Sequence, residues 1–149
     1  MRQVRAGEEV AFGKIEGGVR GYLAVGGGSF AAFRMTRGDR HVIRAIAGPH
    51  DIGIRELECE VTPQLDRVGI RLRPLLRIDA EVPADLPSCG MQFGTVQLHP
   101  DGSIVAMGPD HPVTGGYLQP MTVISSERWK LAQLMPGERV KFVADQPPY

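Results

Sequence analysis

Short runs of β-branched and aliphatic residues recur along the chain, separated by segments rich in glycine and proline. In Ile70-Arg71-Leu72-Arg73 and Val140-Lys141-Phe142-Val143 apolar and charged residues alternate, so one face can meet a core while the other meets water. The pattern predicts nine strands: Val10–Phe12, Val19–Val25, Val42–Ala47, Leu57–Thr62, Gly69–Arg73, Gly94–Leu98, Ile104–Met107, Met121–Ile124 and Arg139–Ala144. We expect an all-β protein whose sheet curls into a barrel.

One segment near the C-terminus predicts a helix of two to three turns. Ser126 is a residue type that caps helix N-termini, and Glu127 suits the positive end of a helix dipole. The apolar positions of this helix would be Trp129, Leu131, Ala132 and Leu134, before Pro136-Gly137 ends it.

Length and charge limit the classes of protein to which the chain can belong. Its 149 residues fit one domain, which we predict to span residues 1–149. Seventeen Lys and Arg residues balance seventeen Asp and Glu residues, so no net positive charge favours nucleic acid or an anionic membrane surface. The N-terminal sequence is charged, and no apolar run approaches the roughly 20 residues of a spanning helix. We therefore expect a cytoplasmic protein that binds neither nucleic acid nor membrane.

The residues that commonly bind metals and phosphates do not form a recognisable motif. Cys59 and Cys89 are too few and too far apart for a disulfide scaffold or a four-ligand zinc site, and we expect two reduced, mostly buried thiols. The four histidines match no compact ligand spacing. Gly26-Gly27-Gly28-Ser29 has the composition of a phosphate-binding loop but lacks a following Lys-Ser or helix, so a turn explains it as well. We predict no metal and no cofactor bound by this chain.

Two polar loops are candidates for a binding site. In the loop from Asp110 to Tyr117, two adjacent glycines would allow either close approach to a ligand or a tight hairpin. In the loop from Thr62 to Gly69, Asp66 stands beside Arg67, a pair that either binds a polar substrate or orders a solvated loop. The sequence contains no recognisable Ser-His-Asp or Cys-His arrangement and no nucleophile elbow.

Taken in order, five segments resemble one protein family. They are Gly48-Pro49-His50, Leu65 to Gly69, Gly94 to His99 with Asp101-Gly102, Asp110 to Tyr117, and Leu131 to Glu138. The family includes the C subunit of bacterial 5-oxoprolinase, the second subunit of allophanate hydrolase and the matching half of the carboxyltransferase domain of urea carboxylase. Residues 48–142 resemble its C-terminal half and residues 1–28 the end of its first half, so we expect a shortened member or one half of a split one.

The resemblance implies a cyclophilin-like β-barrel, a fold name that carries no isomerase activity with it. It also implies a homologous cyclophilin-like partner subunit, a shared active site, and a small amide or lactam substrate, with ATP or carboxybiotin used at the level of the complex. By resemblance Asp110 and Asp66 are candidate catalytic residues. The candidate substrate-binding residues are Arg67, Gln97, Thr114, Gly115, Gly116 and Tyr117. We expect the loops that carry these residues to meet at one end of the barrel.

These residue types suit the chemistry of an unreactive amide, whose plane must be oriented and whose oxygen must be stabilised as charge develops. Arg67 would clamp a carboxylate, and Asp110 would either accept an amide proton or position an amide N–H. Six positions depart from the family pattern, several of them losing a polar group: Leu65 for serine, Val68 for methionine, His50 and Pro112 for glutamines, Val113 for threonine and His99 for proline.

Two hypotheses follow. The first is a subunit or domain of an enzyme like 5-oxoprolinase or allophanate hydrolase, acting on a small amide together with its partner. The alternative is a non-catalytic binding or regulatory module that keeps the barrel without the reaction.

Overall fold

The computed structural model of the protein describes residues 5–11, 13, 39–81, 83 and 85–145. Within these ranges the chain forms strands, one 3-10 turn and one α-helix. The strands are β1 Val42–Ala47, β2 Glu56–Leu65, β3 Gly69–Pro74, β4 Cys89–Gly90, β5 Thr95–Leu98, β6 Ile104–Met107, β7 Thr114–Gly115, β8 Leu118–Val123 and β9 Arg139–Asp145. The 3-10 turn is Ser125–Glu127, and the helix, α1, is Arg128–Leu131.

Seven of these strands close into a barrel in the order β1-β8-β5-β6-β3-β2-β9. Neighbouring strands are antiparallel, except that β1 and β9 pair in parallel, with Ile43 opposite Phe142. Strands β4 and β7 form a separate two-stranded sheet. The predicted fold class, an all-β barrel with one short helix near the C-terminus, is confirmed.

The interior of the barrel is filled by side chains at every second position of its strands. Ile43, Leu72 and Phe142 are fully buried, and burial of such a side chain stabilises a fold by about 1.5–3 kcal/mol. Cys59 is also inside, where burial raises the pKa of its thiol to about 12, so the thiol is protonated at neutral pH. Cys59 and Cys89 are both free, as expected, although Cys89 is only partly buried.

Most of the predicted strands are present, and the differences have physical causes. β1 and β6 have the predicted bounds, whereas β2 and β8 extend further than their apolar runs. β4 and β7 were not predicted, because two residues that include a glycine carry no strand signal. Val10 and Ala11 belong to no strand, and the predicted strand Val19–Val25 lies outside the described residues.

The predicted helix is shorter than expected, and its predicted cap is wrong. Ser126 lies within the 3-10 turn, and neither the turn nor α1 has a side-chain hydrogen bond at its N-cap. After Leu131 the chain continues as a turn, in which Leu134 still packs into the core. Among the described residues no helix is long and apolar enough to cross a membrane.

The 3-10 turn and α1 are attached to β1 by an ion cluster in which Glu127 and Lys130 are buried and Arg44 is exposed. The Glu127 carboxylate accepts hydrogen bonds from the backbone N–H and the Nε of Arg44, each at 2.7 Å, and from Lys130 Nζ at 3.0 Å. Lys130 Nζ also donates to the Val42 carbonyl at 2.6 Å. Burial alone would raise the pKa of Glu127, but the hydrogen bonds from Arg44 and Lys130 outweigh it and hold the pKa below its ordinary value.

We expect Glu127→Ala to lower the free energy of unfolding by about 3 kcal/mol, because Lys130 would remain buried without its carboxylate partner. The Glu127 and Lys130 side chains are only 6% and 7% exposed. Denaturant titration at neutral pH measures the change. The matched control, Glu58→Ala, removes an exposed carboxylate 3.8 Å from Lys141 and should leave stability nearly unchanged.

The same cluster predicts a pH dependence. Because the folded pKa of Glu127 lies below its ordinary value of 4.5, its stabilising contribution is present above that value and is lost as the pH falls through the folded pKa. The wild type should therefore lose more stability than Glu127→Ala on acidification from about pH 6 to about pH 3. Parallel stability curves for the two proteins would contradict this assignment.

Candidate functional site

The loop before β3 and the loop after β6 are joined by backbone and side-chain hydrogen bonds. The Gly108 N–H donates to the Val68 carbonyl at 2.8 Å, and the Asp110 N–H donates to the Arg67 carbonyl at 3.0 Å. Arg67 Nε and Nη2 then donate to Asp110 Oδ2 and Oδ1 at 2.5 and 2.9 Å. Two candidate site residues that are 43 positions apart in the sequence therefore form a bidentate ion pair.

The Arg67–Asp110 pair is held in place but open to solvent. The Arg67 and Asp110 side chains remain 66% and 49% exposed. The hydrogen bonds and the charge of Asp110 raise the pKa of Arg67, so the guanidinium is a permanent cation. An exposed, pre-oriented guanidinium is suited to recognising a planar anionic group.

Gly108 allows these two loops to approach each other. A Cβ atom at this position would lie 2.2 Å from the Arg67 carbonyl oxygen and 2.8 Å from its carbon, too close for any other residue without movement of the backbone. The sequence analysis missed Gly108. Its position immediately after β6 and two residues before Asp110 was the available signal.

Asp66 lies next to this pair, but its carboxylate stabilises the turn in which it lies. Its carboxylate accepts hydrogen bonds from the backbone N–H groups of Val68 and Gly69 at 2.8 and 3.0 Å, while its own N–H donates to the Gly69 carbonyl at 3.1 Å. This geometry holds the loop between β2 and β3 and thereby presents Arg67.

A second group of candidate residues lies beneath the β4–β7 sheet. Cys89 pairs with Gly115 and Gly90 pairs with Thr114. The buried Gln97 side chain donates from Nε2 to Met91 Sδ at 3.0 Å. A Cβ atom at Gly115 would lie 2.8 Å from both atoms. The close approach expected of Gly115 is therefore made to Gln97 and Met91 of the same chain.

Gln119 belongs to the same group and was missed by the sequence analysis. It is almost fully buried, and its Nε2 donates to Cys89 Sγ at 3.0 Å. Its backbone N–H donates to His50 Nδ1 at 3.1 Å. A glutamine inside a mostly apolar strand, two positions after Tyr117, was the signal that could have found it.

The contacts of the remaining candidate loop residues are with other parts of the chain than the ion pair. Thr114 is exposed, and a Cβ atom at Gly116 would lie 3.2 Å from the Leu86 carbonyl oxygen. The Tyr117 ring packs on His99, with 4.2 Å between the ring centroids. Burial lowers the pKa of His99, so this imidazole is neutral at neutral pH.

The candidate residues do not all meet at one end of the barrel. The N-terminal end of β5 lies beside the ion pair, since the Gly94 N–H donates to the Met107 carbonyl next to Gly108. At the C-terminal end of β5 lie His99 and the Tyr117 ring that packs on it. The expectation of a single convergent site is therefore wrong for Tyr117, because the chain passes from the loop after β6 to the start of β8, where Leu118 pairs with Leu98 at the other end of β5.

Comparison with known proteins identifies the family. Residues 29–144 match the family described as carboxyltransferase domain, subdomain A and B. The chain belongs to this carboxyltransferase domain family. The resemblance predicted from the sequence is thereby confirmed.

Relatives of this carboxyltransferase domain include two curated proteins. The C subunit of 5-oxoprolinase from Haemophilus influenzae is 24% identical over 95% of this chain and 61% of that protein. A putative urea carboxylase of Emericella nidulans is 26% identical over 71% of this chain and 10% of that protein. The chain thus spans less than two thirds of either relative.

Solved structures of the same fold include TTHA0988, with a TM-score of 0.55 and 24% identity over 78% of this chain and 23% of that chain. The urea carboxylase of Kluyveromyces lactis gives a TM-score of 0.56 and 23% identity over 69% of this chain and 11% of that chain. At these identities the likeness establishes the barrel fold of the carboxyltransferase domain.

We expect Gly108→Ala to destabilise this carboxyltransferase domain by about 1–3 kcal/mol, because the added methyl group forces the Arg67 and Asp110 loops apart. Denaturant titration measures the loss. The matched control is Gly90→Ala, since a Cβ atom there meets nothing within 4 Å. Equal stability of the two variants would show that the loops can separate without cost.

Proposed function

We propose that this chain is a subunit or domain of an enzyme that acts on the carbon–nitrogen bond of a small amide or lactam. Membership of the carboxyltransferase domain family supports the proposal. The names of the two curated relatives point to small molecules with such a bond, since 5-oxoproline is a lactam and urea is a diamide.

The observation that carries the proposal is the exposed, bidentate ion pair of Arg67 and Asp110. Two hydrogen bonds orient the guanidinium toward the Asp110 carboxylate. A backbone hydrogen bond from Asp110 to Arg67 holds the two residues together. A substrate carboxylate has the same shape and charge as the Asp110 side chain. It can therefore take the place of Asp110 on Arg67.

This exchange would release the Asp110 carboxylate for chemistry. Once the substrate carboxylate occupies Arg67, Asp110 Oδ1 or Oδ2 is available to accept a proton from the water that attacks the amide carbon and to return it to the nitrogen as the carbon–nitrogen bond breaks. We assign Arg67 to substrate binding, Asp110 to proton transfer, and Asp66 to holding the turn that presents Arg67. Gln97, Thr114, Gly115, Gly116 and Tyr117 remain candidate substrate-binding residues by resemblance.

The exposure of the pair supports a shared active site. Catalysis on an amide requires bulk solvent to be excluded, so that the charges of the site act in a low-dielectric environment. We infer that a homologous cyclophilin-like partner subunit covers this end of the barrel. Val68 and Val113, exposed apolar residues of the same two loops, would contribute to the core of such an interface.

ATP and carboxybiotin are the co-substrates that the resemblance implies for the complex. The neighbourhood of Arg67 does not fit a triphosphate, because the one guanidinium that pairs with Asp110 matches a single carboxylate-sized group and not the several negative charges of a triphosphate. We therefore derive no step of this chain through ATP.

The alternative function, a non-catalytic binding or regulatory module, is favoured by one observation. Both candidate carboxylates are engaged inside the chain, Asp66 by backbone N–H groups and Asp110 by Arg67. A module of this kind would bind a carboxylate at Arg67 without proton transfer. The two functions therefore differ in whether turnover accompanies binding.

Calorimetric titration with 5-oxoproline, in the presence of the partner subunit, tests the role of Arg67. We expect Arg67→Ala to weaken binding about tenfold or more, the effect of losing a charge-assisted hydrogen bond. The matched control is Arg55→Ala, because Arg55 also forms an exposed bidentate pair with an aspartate, Asp51, at 2.8 and 2.9 Å. Equal binding by the two variants would exclude Arg67 from the site.

Turnover measurements on the same complex separate the two functions. For the enzyme, Asp110→Asn should retain binding of 5-oxoproline and abolish its hydrolysis, because the amide side chain cannot accept the proton. For the module, the wild-type complex binds the ligand and shows no hydrolysis of 5-oxoproline and no carboxylation of urea. Turnover by Asp110→Asn at the wild-type rate would remove Asp110 from the reaction.

A further inference from the structure

The β4–β7 sheet covers two buried glutamines on the outer face of the barrel. We propose that this sheet is a cover that lifts, and that Gln97 and Gln119 beneath it donate hydrogen bonds to the amide carbonyl of the ligand. The proposal deepens the function proposed above and rests on it for the chemical class of the ligand. It adds Gln119 to the site and assigns the two glutamines to the carbonyl oxygen, as distinct from the carboxylate assigned to Arg67.

The burial of these two glutamines is unusual for their position. Outward-facing residues of a barrel normally meet water, yet Gln97 and Gln119 are only 2% and 1% exposed. Burying a primary amide is costly unless its hydrogen-bonding groups find good partners. A carbonyl oxygen or a carboxylate would be such a partner.

The partners that the glutamines have are weak ones. Gln97 Nε2 donates to Met91 Sδ and Gln119 Nε2 donates to Cys89 Sγ, each at 3.0 Å. Thioether and thiol sulfur atoms are weak acceptors compared with oxygen. A ligand oxygen that replaced either sulfur atom would therefore form a stronger hydrogen bond with the same donor.

The two donors lie side by side. Strand β5 pairs with β8 through Val96 opposite Met121 and Leu98 opposite Leu118, with an irregularity in the register between them. Gln97 and Gln119 occupy this irregular stretch. Both side chains contact β4 or the residue that follows it, so a single movement of the β4–β7 sheet would uncover both donors.

The cover is held by few interactions. Its two strands contain two residues each, joined by the pairs Cys89–Gly115 and Gly90–Thr114 and by a hydrogen bond from the Met91 N–H to the Val113 carbonyl at 2.9 Å. Two-stranded sheets of this length are marginally stable. Opening the cover therefore leaves the barrel strands and their core intact.

The two cysteines report separately on the cover and on the barrel. Cys89 lies in the cover, and Cys59 lies inside the barrel, where its thiol is both buried and protonated. We expect iodoacetamide to label Cys89 of the folded protein at a rate that depends little on denaturant, while Cys59 is labelled only on global unfolding. Labelling of Cys89 and Cys59 with the same denaturant dependence would overturn the opening of the cover.

A variant of the cover provides a second measurement that does not alter the glutamines. Gly115→Ala places a methyl group against Gln97 Nε2 and Met91 Sδ and should raise the labelling rate of Cys89 severalfold. Cys59 reports in each variant whether the barrel is folded. An unchanged Cys89 rate in Gly115→Ala, with Cys59 protected, would contradict the assigned closure.

Two lactams separate this inference from the function proposed above. 2-Pyrrolidinone has the carbonyl but no carboxylate, whereas 5-oxoproline has both. We expect Gln119→Leu to weaken binding of both compounds about tenfold, while Arg67→Ala weakens binding of 5-oxoproline alone. Gln64→Leu, an exposed glutamine on β2, is the matched control and should bind both compounds as the wild type does.

The outcomes distinguish the two proposals. Wild-type affinity of Gln119→Leu for both lactams, or binding of neither lactam by the chain and by its complex with the partner subunit, would overturn the glutamine site. Loss of 2-pyrrolidinone binding in Gln119→Leu together with unchanged 5-oxoproline binding in Arg67→Ala would support the glutamine site and reject the role of Arg67.

Discussion

Closure of the barrel between β1 and β9 is the constraint on which the rest of the structure depends. These two strands pair in parallel, and their pairing gives every strand of the barrel two neighbours, so no edge of this sheet is left unpaired. The helix that precedes β9 is attached to β1 by buried Glu127 and Lys130 together with the partly exposed Arg44. This attachment orients the connection from β8 to β9 and so supports the closing pair.

The loops and the cover then depend on how closely backbone segments can approach the closed barrel. Gly108 lets the loop after β6 touch the Arg67 carbonyl, and Gly48 lies against the Gln119 carbonyl, where a Cβ atom would be 2.0 Å from the oxygen. Gly115 likewise allows the β4–β7 sheet to lie against the Gln97 side chain. Each glycine has its effect through the absence of a side chain, since none of the three adopts a positive φ angle.

The proposed chemistry divides between two neighbouring environments, since Gly94 at the start of β5 bonds Met107 beside the ion-pair loop and Gln97 lies further along the same strand. At one end an exposed guanidinium and carboxylate are fixed but accessible, which suits recognition of a charged group. On the outer face two neutral amides are shielded from water, which suits recognition of a carbonyl oxygen. A small ligand with both groups would use both environments, and covering by a partner would join them into one site.

The sequence by itself determined the barrel class, most of its strands, the family and the candidate residues of the two polar loops. Alternation in β3 and β9 and short β-branched runs elsewhere suffice for the strands and the barrel class, because strand formation and burial of one face are local properties. The family and the candidate residues follow from the resemblance of five segments to one protein family. The tertiary structure alone decided that Arg67 binds Asp110, that Asp66 serves its own turn, that Tyr117 lies at the other end of β5, and that Gln119 lies beneath a cover. These facts depend on register and on the approach of segments distant in sequence. Neither propensity nor spacing encodes such contacts, so Ser126 was misread as a helix cap. The signals of Gly108, a glycine directly after a strand, and of Gln119, a polar residue within one, could be interpreted only once the barrel placed them.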